Sequence, residues 1–136
     1  MRVLSKTSAA LLDAVTANLD IGQSRKIDNA PGAFMALHID RVGPKTYSLA
    51  HYFKQNGDLV CDPDGVFVLT PNGWLPVALQ LCTGHYTRAL ELGEDDQPTG
   101  VRPKALAELH EFAAMWLKNI ASQQGGLVGI RASINA

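Results

Sequence analysis

The feature that most constrains the fold is a series of closely spaced turn signals in the middle of the chain. An Asn-Gly pair is among the strongest hairpin signals, because both residues tolerate positive φ. A parallel strand pair would need a long crossover, for which the short intervals leave no room. The sequence therefore predicts an antiparallel meander in which each strand pairs with the next. The turn signals are Gly43-Pro44, Asn56-Gly57, Asp62-Pro63-Asp64-Gly65, Pro71-Asn72-Gly73 and Thr83-Gly84. The third of these predicts either a turn or a bulge.

The segments between these turns alternate with a period of two, as half-buried strands do. Segment 33–42 places His38 and Asp40 on one face and apolar residues on the other. Segment 45–55 places Ser48, Ala50 and Tyr52 on one face. Its other face carries Tyr47, Leu49, His51 and Phe53. Further strands are predicted at 66–70, at 74–82, where Pro76 indicates an edge or a bulge, and at 85–92.

Two amphipathic helices flank the strands. Apolar residues recur at helical spacing in 3–19, which Ser5 or Thr7 can cap, and in 103–123, which begins with a proline. Residues 20–32 are expected to form a loop and 93–102 an acidic loop. The tail, 127–136, is expected to add a short edge strand or to fray.

Together these elements predict a single α+β domain spanning 1–136. An antiparallel sheet of four or five strands, within about 33–92, is packed by an N-terminal helix and a C-terminal helix. The pattern leaves open which face of the sheet the helices cover. That choice decides whether His51 belongs to the core or to a cleft.

Composition excludes several classes of protein. Hydrophobic residues make up 46% of the 136 residues and the net charge is -1, which excludes a disordered chain. Twelve Lys and Arg oppose thirteen Asp and Glu without a basic stripe. This balance argues against broad binding to nucleic acid or to an anionic membrane.

The small number of cysteines and the lack of a recognisable targeting signal indicate a cytoplasmic protein. The two cysteines, Cys61 and Cys82, lie in apolar, strand-like contexts without metal-ligand spacing. They are expected to be reduced, half-buried thiols. No signal peptide and no membrane span is recognisable.

The densest polar segment, 51–65, holds the candidate site. Carboxylates gathered near a histidine could bind a divalent metal or perform acid–base chemistry. The simpler interpretation is that the aspartates hold turns by accepting hydrogen bonds from nearby backbone N–H groups. The spacing fits no metal-binding loop, so no metal is assigned. The candidate binding residues are His51, Tyr52, Asn56, Asp58, Asp62 and Asp64.

The other polar residues give weaker signals. His38 is expected to be exposed and His110 half-exposed. A strand face with aromatic and basic residues could stack single-stranded bases. No nucleophile motif, phosphate loop or dinucleotide fingerprint is recognisable, so no cofactor is expected. The residues considered for base stacking are Tyr47, Phe53, Tyr86 and Arg88.

One motif resembles a known family. The residues His51-Tyr52-x-x-Gln55-Asn56-Gly57-Asp58-Leu59-x-x-Asp62-Pro63, followed by Trp74-Leu75-Pro76, are similar to a family of small uncharacterised proteins. Those proteins are encoded on bacterial conjugative plasmids, integrative elements and phages. The resemblance covers roughly 33–120 and implies no activity. It implies an origin on a mobile genetic element.

The sequence thus favours a small cytoplasmic accessory protein linked to a mobile element. It would be a non-catalytic protein-interaction module whose partner is another protein or a second copy of itself. The first alternative is a metal-dependent or acid–base enzyme using His51 with Asp58, Asp62 and Asp64. The second is nucleic-acid binding through a sheet face.

Overall fold

The computed structural model describes residues 1–135, and all their side chains except those of 53–55 and 59–61. Helices stand at both ends of the chain, and eight strands lie between the first helix and the last two. The elements are α1 Lys6–Thr16, β1 Ser24–Ile27, β2 Leu37–Arg41, β3 Thr46–Gln55, β4 Asp58–Thr70, β5 Gly73–Gln80, β6 Tyr86–Arg88, β7 Leu90–Leu92, a 3₁₀ helix Glu94–Asp96, β8 Pro98–Val101, α2 Pro103–Gln123 and α3 Gly126–Ile134.

The predicted antiparallel meander is confirmed, with more strands than expected. Six strands form one sheet in the order β1-β2-β3-β4-β5-β6. The added strand, β1, lies in the segment predicted to be a loop, and it pairs with β2 from Ser24 opposite Asp40 to Ile27 opposite Leu37. The segment has no strand period of its own, so the pairing partner decides its conformation.

The β3–β4 hairpin turns at Asn56 and Gly57, whose φ values are 52° and 86°. The segment 62–65, predicted to be a second turn or a bulge, lies inside β4, which runs unbroken to Thr70. A register shift between Ala50 and Tyr52 leaves Asp62 and Pro63 opposite a single residue of β3. The turn-forming residues therefore form a β-bulge here, with a cis Asp62–Pro63 peptide.

Pro76 also lies at an irregularity. The pairing of β4 with β5 shifts register between Val66 and Phe67, the second of which faces Pro76. Pro76 therefore lies at a bulge in an interior strand and not at an edge of the sheet. A bulge was one of the two predictions for this proline.

The segment predicted as the last strand divides into two strands of different sheets. Residues 90–92 and 98–101 form a separate two-stranded ribbon, β7–β8. The 3₁₀ helix between these strands positions Asp96, whose carboxylate accepts a hydrogen bond from the Lys45 N–H at 2.9 Å. Leu90 joins Val68 and Leu75 in a hydrophobic cluster, so the ribbon covers one end of the sheet.

The helices follow the prediction except at the C-terminus. Helix α1 begins after Ser5, whose hydroxyl accepts from the Ser8 N–H, and is shorter than expected. Helix α2 occupies the predicted range. The expectation of an edge strand or a frayed tail is wrong, because residues 126–134 form α3. Ile130 of this helix is fully buried, and that contact stabilises a segment with little pattern of its own.

The three helices pack on one face of the sheet. Strand residues Leu37, Ile39 and Leu49 form a buried cluster with Trp116 of α2 and Leu12 of α1. We call the other face of the sheet the open face, because the helices leave it uncovered. Among residues 1–135, no helix is both long and apolar enough to cross a membrane.

Candidate functional site

The open face carries a row of side chains that crosses all six strands. Directly opposite residues of antiparallel strands point to the same side of the sheet, so the pairing register defines the row. Its centre lies at Ala50 of β3 and Asp64 of β4. From β1 to β6 the row reads Lys26, His38, Ala50, Asp64, Gln80 and Tyr86.

A second row runs beside the first, toward the β7–β8 ribbon. At one end Asp40 accepts a hydrogen bond from the Ser24 hydroxyl. At the other end the Arg88 guanidinium donates to the Tyr86 hydroxyl at 3.3 Å and pairs with Glu91 at 3.3 Å. From β1 to β6 this row reads Ser24, Asp40, Ser48, Val66, Ala78 and Arg88.

The middle of the open face is closely packed around Ala50 of β3. Ala50 is fully buried although no helix covers this face, because the longer side chains around it exclude solvent. His38 and Tyr52 stand beside it with ring centroids 4.9 Å apart and planes at 82°. Asp64 stands on the other side, directly opposite Ala50. Ala50 therefore lies beneath larger side chains in the middle of the open face.

Two aspartates, Asp40 and Asp64, lie on this face of the sheet. Partial burial raises the pKa of Asp64 above its ordinary value, and the negative charge of Asp40 raises it further. The Oδ1 atom of Asp64 is buried without a hydrogen-bond partner. Within the part of the chain described here, neither aspartate forms an ion pair.

His51 lies on the helix-covered face and belongs to the core. Its side chain is only 5% exposed, and its ring stands edge-on to Trp116 of α2, with centroids 5.7 Å apart. Burial lowers the pKa of His51, and the charge of His38 lowers it further, while Asp62 acts in the opposite sense. The structure thus answers the question of core or cleft in favour of the core.

The remaining candidates lie in three separate places. The Asp62 carboxylate accepts a hydrogen bond from the Cys82 N–H at 3.2 Å, across the sheet rather than within a local turn. Asn56 and Asp58 are exposed at the end of the β3–β4 hairpin. Tyr52 and Asp64 both lie on the open face.

No group of three or more His, Cys, Asp and Glu side chains comes together closely enough to hold a metal ion, as far as the described side chains extend. His51 and Asp64 lie on opposite faces of the sheet. The Asp62 carboxylate already accepts a hydrogen bond from the Cys82 backbone N–H. The four residues of the enzyme alternative therefore do not converge on one surface.

Other expectations need correction. His110 is buried, at 7% exposed, rather than half-exposed, because α2 packs against the N-terminal segment. Cys82 is exposed, because β5 ends at Gln80, and the Cys61 side chain lies outside the described ones.

Tyr47 is buried under the helices, whereas Tyr86 is 53% exposed on the open face. The residues considered for base stacking therefore do not share a face.

Sequence reasoning missed the grouping of His38, Asp40 and Ala50 with Asp64. The period-two pattern places His38 and Asp40 on one face of β2, and Ala50 and Tyr52 on one face of β3. It does not say which residues stand opposite each other across strands. The register depends on the bulge at residues 62–63, which the sequence indicated only as a turn or a bulge.

Comparison with known proteins identifies a family of unknown function. No curated protein and no solved structure matches the chain. A family model, described as a domain of unknown function (DUF6908), matches residues 6–126, which include α1, the whole sheet and α2. The chain therefore belongs to the DUF6908 family.

Proposed function

We propose that this protein is a small, non-catalytic accessory protein that binds another protein through the open face of its sheet. The observation that carries the proposal is the row of polar and aromatic side chains that crosses the face without a helix above it. Tyrosine and arginine are enriched in protein interfaces, and Tyr86 and Arg88 stand at one end of this face.

The charge of the open face favours a protein partner over a nucleic acid. Asp40 and Asp64 lie near its centre and would repel the phosphate groups of a nucleic acid. Lys26 is an exposed basic residue on β1, at the end of the open face opposite Arg88. A protein can match such a mixed pattern, because it carries side chains of both signs.

The resemblance of the 51–63 motif to proteins of plasmids, integrative elements and phages supports the biological part of the proposal. We place the protein in the cytoplasm of a bacterium that carries such an element. Its partner there is another protein or a second copy of the chain.

A photo-crosslinking experiment tests the proposed surface. A photoreactive amino acid replaces Gln80, which is exposed on β5 of the open face, or Glu111, which is exposed on α2 and serves as a matched control. After irradiation of host cells, we expect one discrete adduct from position 80 and none of that mass from position 111. The proposal is wrong if position 80 gives no adduct, or if both positions give the same one.

The mass of the adduct distinguishes the two kinds of partner. Twice the mass of the chain identifies a second copy, and any other protein mass identifies a foreign partner. Digestion of the sample with nuclease provides a further control. Loss of the adduct on nuclease treatment would show that the partner is a nucleic acid and not a protein.

A further inference from the structure

The first strand of the six-stranded sheet leaves one edge of that sheet open to a further strand. We propose that β1 pairs with an extended, acidic segment of a partner protein, which adds to the sheet as a seventh strand. This edge is a separate surface from the open face, so the contact goes beyond the one in the proposed function.

The hydrogen-bond pattern of β1 turns some of its backbone groups outward. Hydrogen-bonded pairs recur at every second residue of an antiparallel ladder. Because the Arg41 N–H donates to the Gln23 carbonyl at 3.0 Å, the next residue that bonds to β2 is Arg25. The N–H and C=O groups of Ser24 and Lys26 therefore point away from β2. Among the residues that the structure describes, no other hydrogen bond reaches these groups.

The opposite edge of the sheet, β6, is occupied by the chain itself. The Arg102 guanidinium donates to the Arg88 carbonyl at 3.3 Å. The Arg102 N–H donates to the Ala89 carbonyl at 2.8 Å, which holds the chain beside this edge just before α2 begins. A strand added at β6 would have to displace these contacts, whereas one added at β1 would not.

The charge of β1 favours an acidic strand. Arg25 and Lys26 are neighbours in the strand and therefore point to opposite faces of the sheet. Within the described part of the chain, neither side chain forms an ion pair. Opposite charges directly across a strand pair stabilise it. Two consecutive acidic residues of the partner would thus meet one basic side chain on each face.

The same charges disfavour a second copy of β1 as the added strand. Outward-pointing residues must face outward-pointing residues, so an antiparallel pair of β1 strands has two central registers. One register places Arg25 opposite Arg25 of the other copy, and the other places Lys26 opposite Lys26. Like charges directly opposite each other destabilise a strand pair. A basic edge therefore discourages self-association and remains available to an acidic partner.

Both ends of β1 lead into exposed apolar residues. Ile21 precedes the strand, and Phe34 and Met35 lie in the connection from β1 to β2. Apolar residues on either side of the acidic pair in the partner strand would remove these side chains from water. The expected partner segment is therefore an acidic pair within an otherwise apolar, extended stretch.

The test uses nuclear magnetic resonance of the whole chain with a defined probe. The capped peptide Val-Thr-Glu-Asp-Val-Thr is titrated to about 5 mM, a range in which weak contacts become populated. We expect the largest chemical-shift changes at the amides of Ser24 and Lys26, and none at Arg88 of the other edge. A peptide that is N-methylated at alternate residues keeps the charge but cannot complete the strand pairing, so it should leave these amides unchanged.

Variants connect binding to the charge of the edge. Lys26→Glu should weaken the acidic peptide about fivefold and strengthen binding of the peptide Val-Thr-Lys-Lys-Val-Thr. Lys104→Glu makes the same charge change at an exposed position of α2, so it is the matched control and should leave both affinities unchanged. Because Lys26 is exposed, its variant should fold, and amide shifts away from β1 check this.

Three results would overturn the proposed contact: an acidic peptide that leaves β1 unchanged, an N-methylated peptide that gives the same shifts, or normal binding to Lys26→Glu. A dimer in sedimentation that Lys26→Glu alters would overturn it in favour of a second copy. A single-stranded oligonucleotide that shifts these amides when the peptide does not would overturn it in favour of a nucleic acid.

The two experiments separate this contact from the proposed function. If position 80 crosslinks a partner protein but β1 ignores the peptide, the open face is retained and the edge contact is rejected. If β1 binds the peptide but position 80 gives no crosslink, the edge contact is retained and the open face is rejected.

Discussion

At the scale of single residues, neighbouring positions of β4 serve opposite faces of the sheet. Asp64 points to the open face, and Gly65 lies beneath Trp116 on the helix-covered face. A Cβ atom on Gly65 would approach the Trp116 ring to 2.9 Å and the Phe67 ring to 3.2 Å. The absence of a side chain here allows α2 to pack closely against the strand that carries the candidate site.

Replacing Gly65 by alanine should therefore destabilise the protein. Two core aromatic rings would have to move, and such overpacking typically costs about 2 kcal/mol. Urea unfolding monitored by tryptophan fluorescence measures the loss. Gly100→Ala is the matched control, because its Cβ would meet only the Glu91 side chain, at 3.6 Å. Equal stability of the two variants would contradict the close packing at Gly65.

His51 should make stability depend on pH. Burial holds its pKa below the ordinary value of 6.5 in the folded protein, so the unfolded chain binds this proton more readily. The contribution of His51 is complete above pH 6.5 and should be lost as the pH falls through the folded pKa. In His51→Phe, the free energy of unfolding should fall less steeply with decreasing pH.

His110 provides the comparison for this experiment. Burial lowers its pKa too, so part of the pH dependence should remain in the His51→Phe variant. Titration of the histidine rings by nuclear magnetic resonance resolves the two residues. A His51 ring that titrates at pH 6.5 or above would contradict its burial against Trp116.

At the scale of elements, one buried glutamine joins the β1–β2 connection to the helices. Gln124, at the end of α2, is fully buried. Its side-chain oxygen accepts from the Asn29 N–H at 2.7 Å, and its amide donates to the Met35 carbonyl at 3.2 Å. The Asn29 amide in turn donates to the Gln124 carbonyl at 2.9 Å. This contact fixes the segment that leads into β2 and its His38 and Asp40.

Gln124→Ala should release this connection. Backbone groups of Asn29 and Met35 would lose their partners, at a cost of about 2 kcal/mol. Hydrogen exchange should show faster exchange of the Asn29 amide. Gln123→Ala, one residue earlier in the same helix, is the matched control and should leave that amide protected. Unchanged protection in Gln124→Ala would show that the glutamine does not hold the segment.

At the scale of the whole molecule, contacts between distant parts of the chain fix the helices on one face. The Trp74 indole of β5 donates to the Asp13 carboxylate of α1 at 2.8 Å, and its ring lies 5.5 Å from Tyr47. Leu4 donates its N–H to the Trp74 carbonyl at 2.8 Å. The N-terminal segment is thereby tied to the interior of the sheet.

Asp13→Ala should weaken this tie. The Trp74 side chain is 2% exposed, and loss of its acceptor should cost about 1 kcal/mol in the free energy of unfolding. Thermal and urea unfolding measure the change. Asp20→Ala, an exposed aspartate beyond the end of α1, is the control. A loss in both variants alike would assign the effect to surface charge rather than to the indole contact.

The sequence by itself determined the class of the fold. Closely spaced turn residues require antiparallel neighbours, and the apolar stripe of 103–123 requires a helix. These are local effects, expressed within a few residues. It also placed His51 on the face with Tyr47 and Leu49, because a strand alternates its side chains strictly.

Only the tertiary structure decided which face the helices cover and which residues meet across strands. The segments that became β1 and α3 have weak patterns, and their partners, β2 and the core around Ile130, determine their conformation. Packing of the helices buries His51, while the bulge at residues 62–63 sets the register that aligns His38, Ala50 and Asp64. Both outcomes depend on contacts between residues far apart in the chain, so no local pattern can specify them.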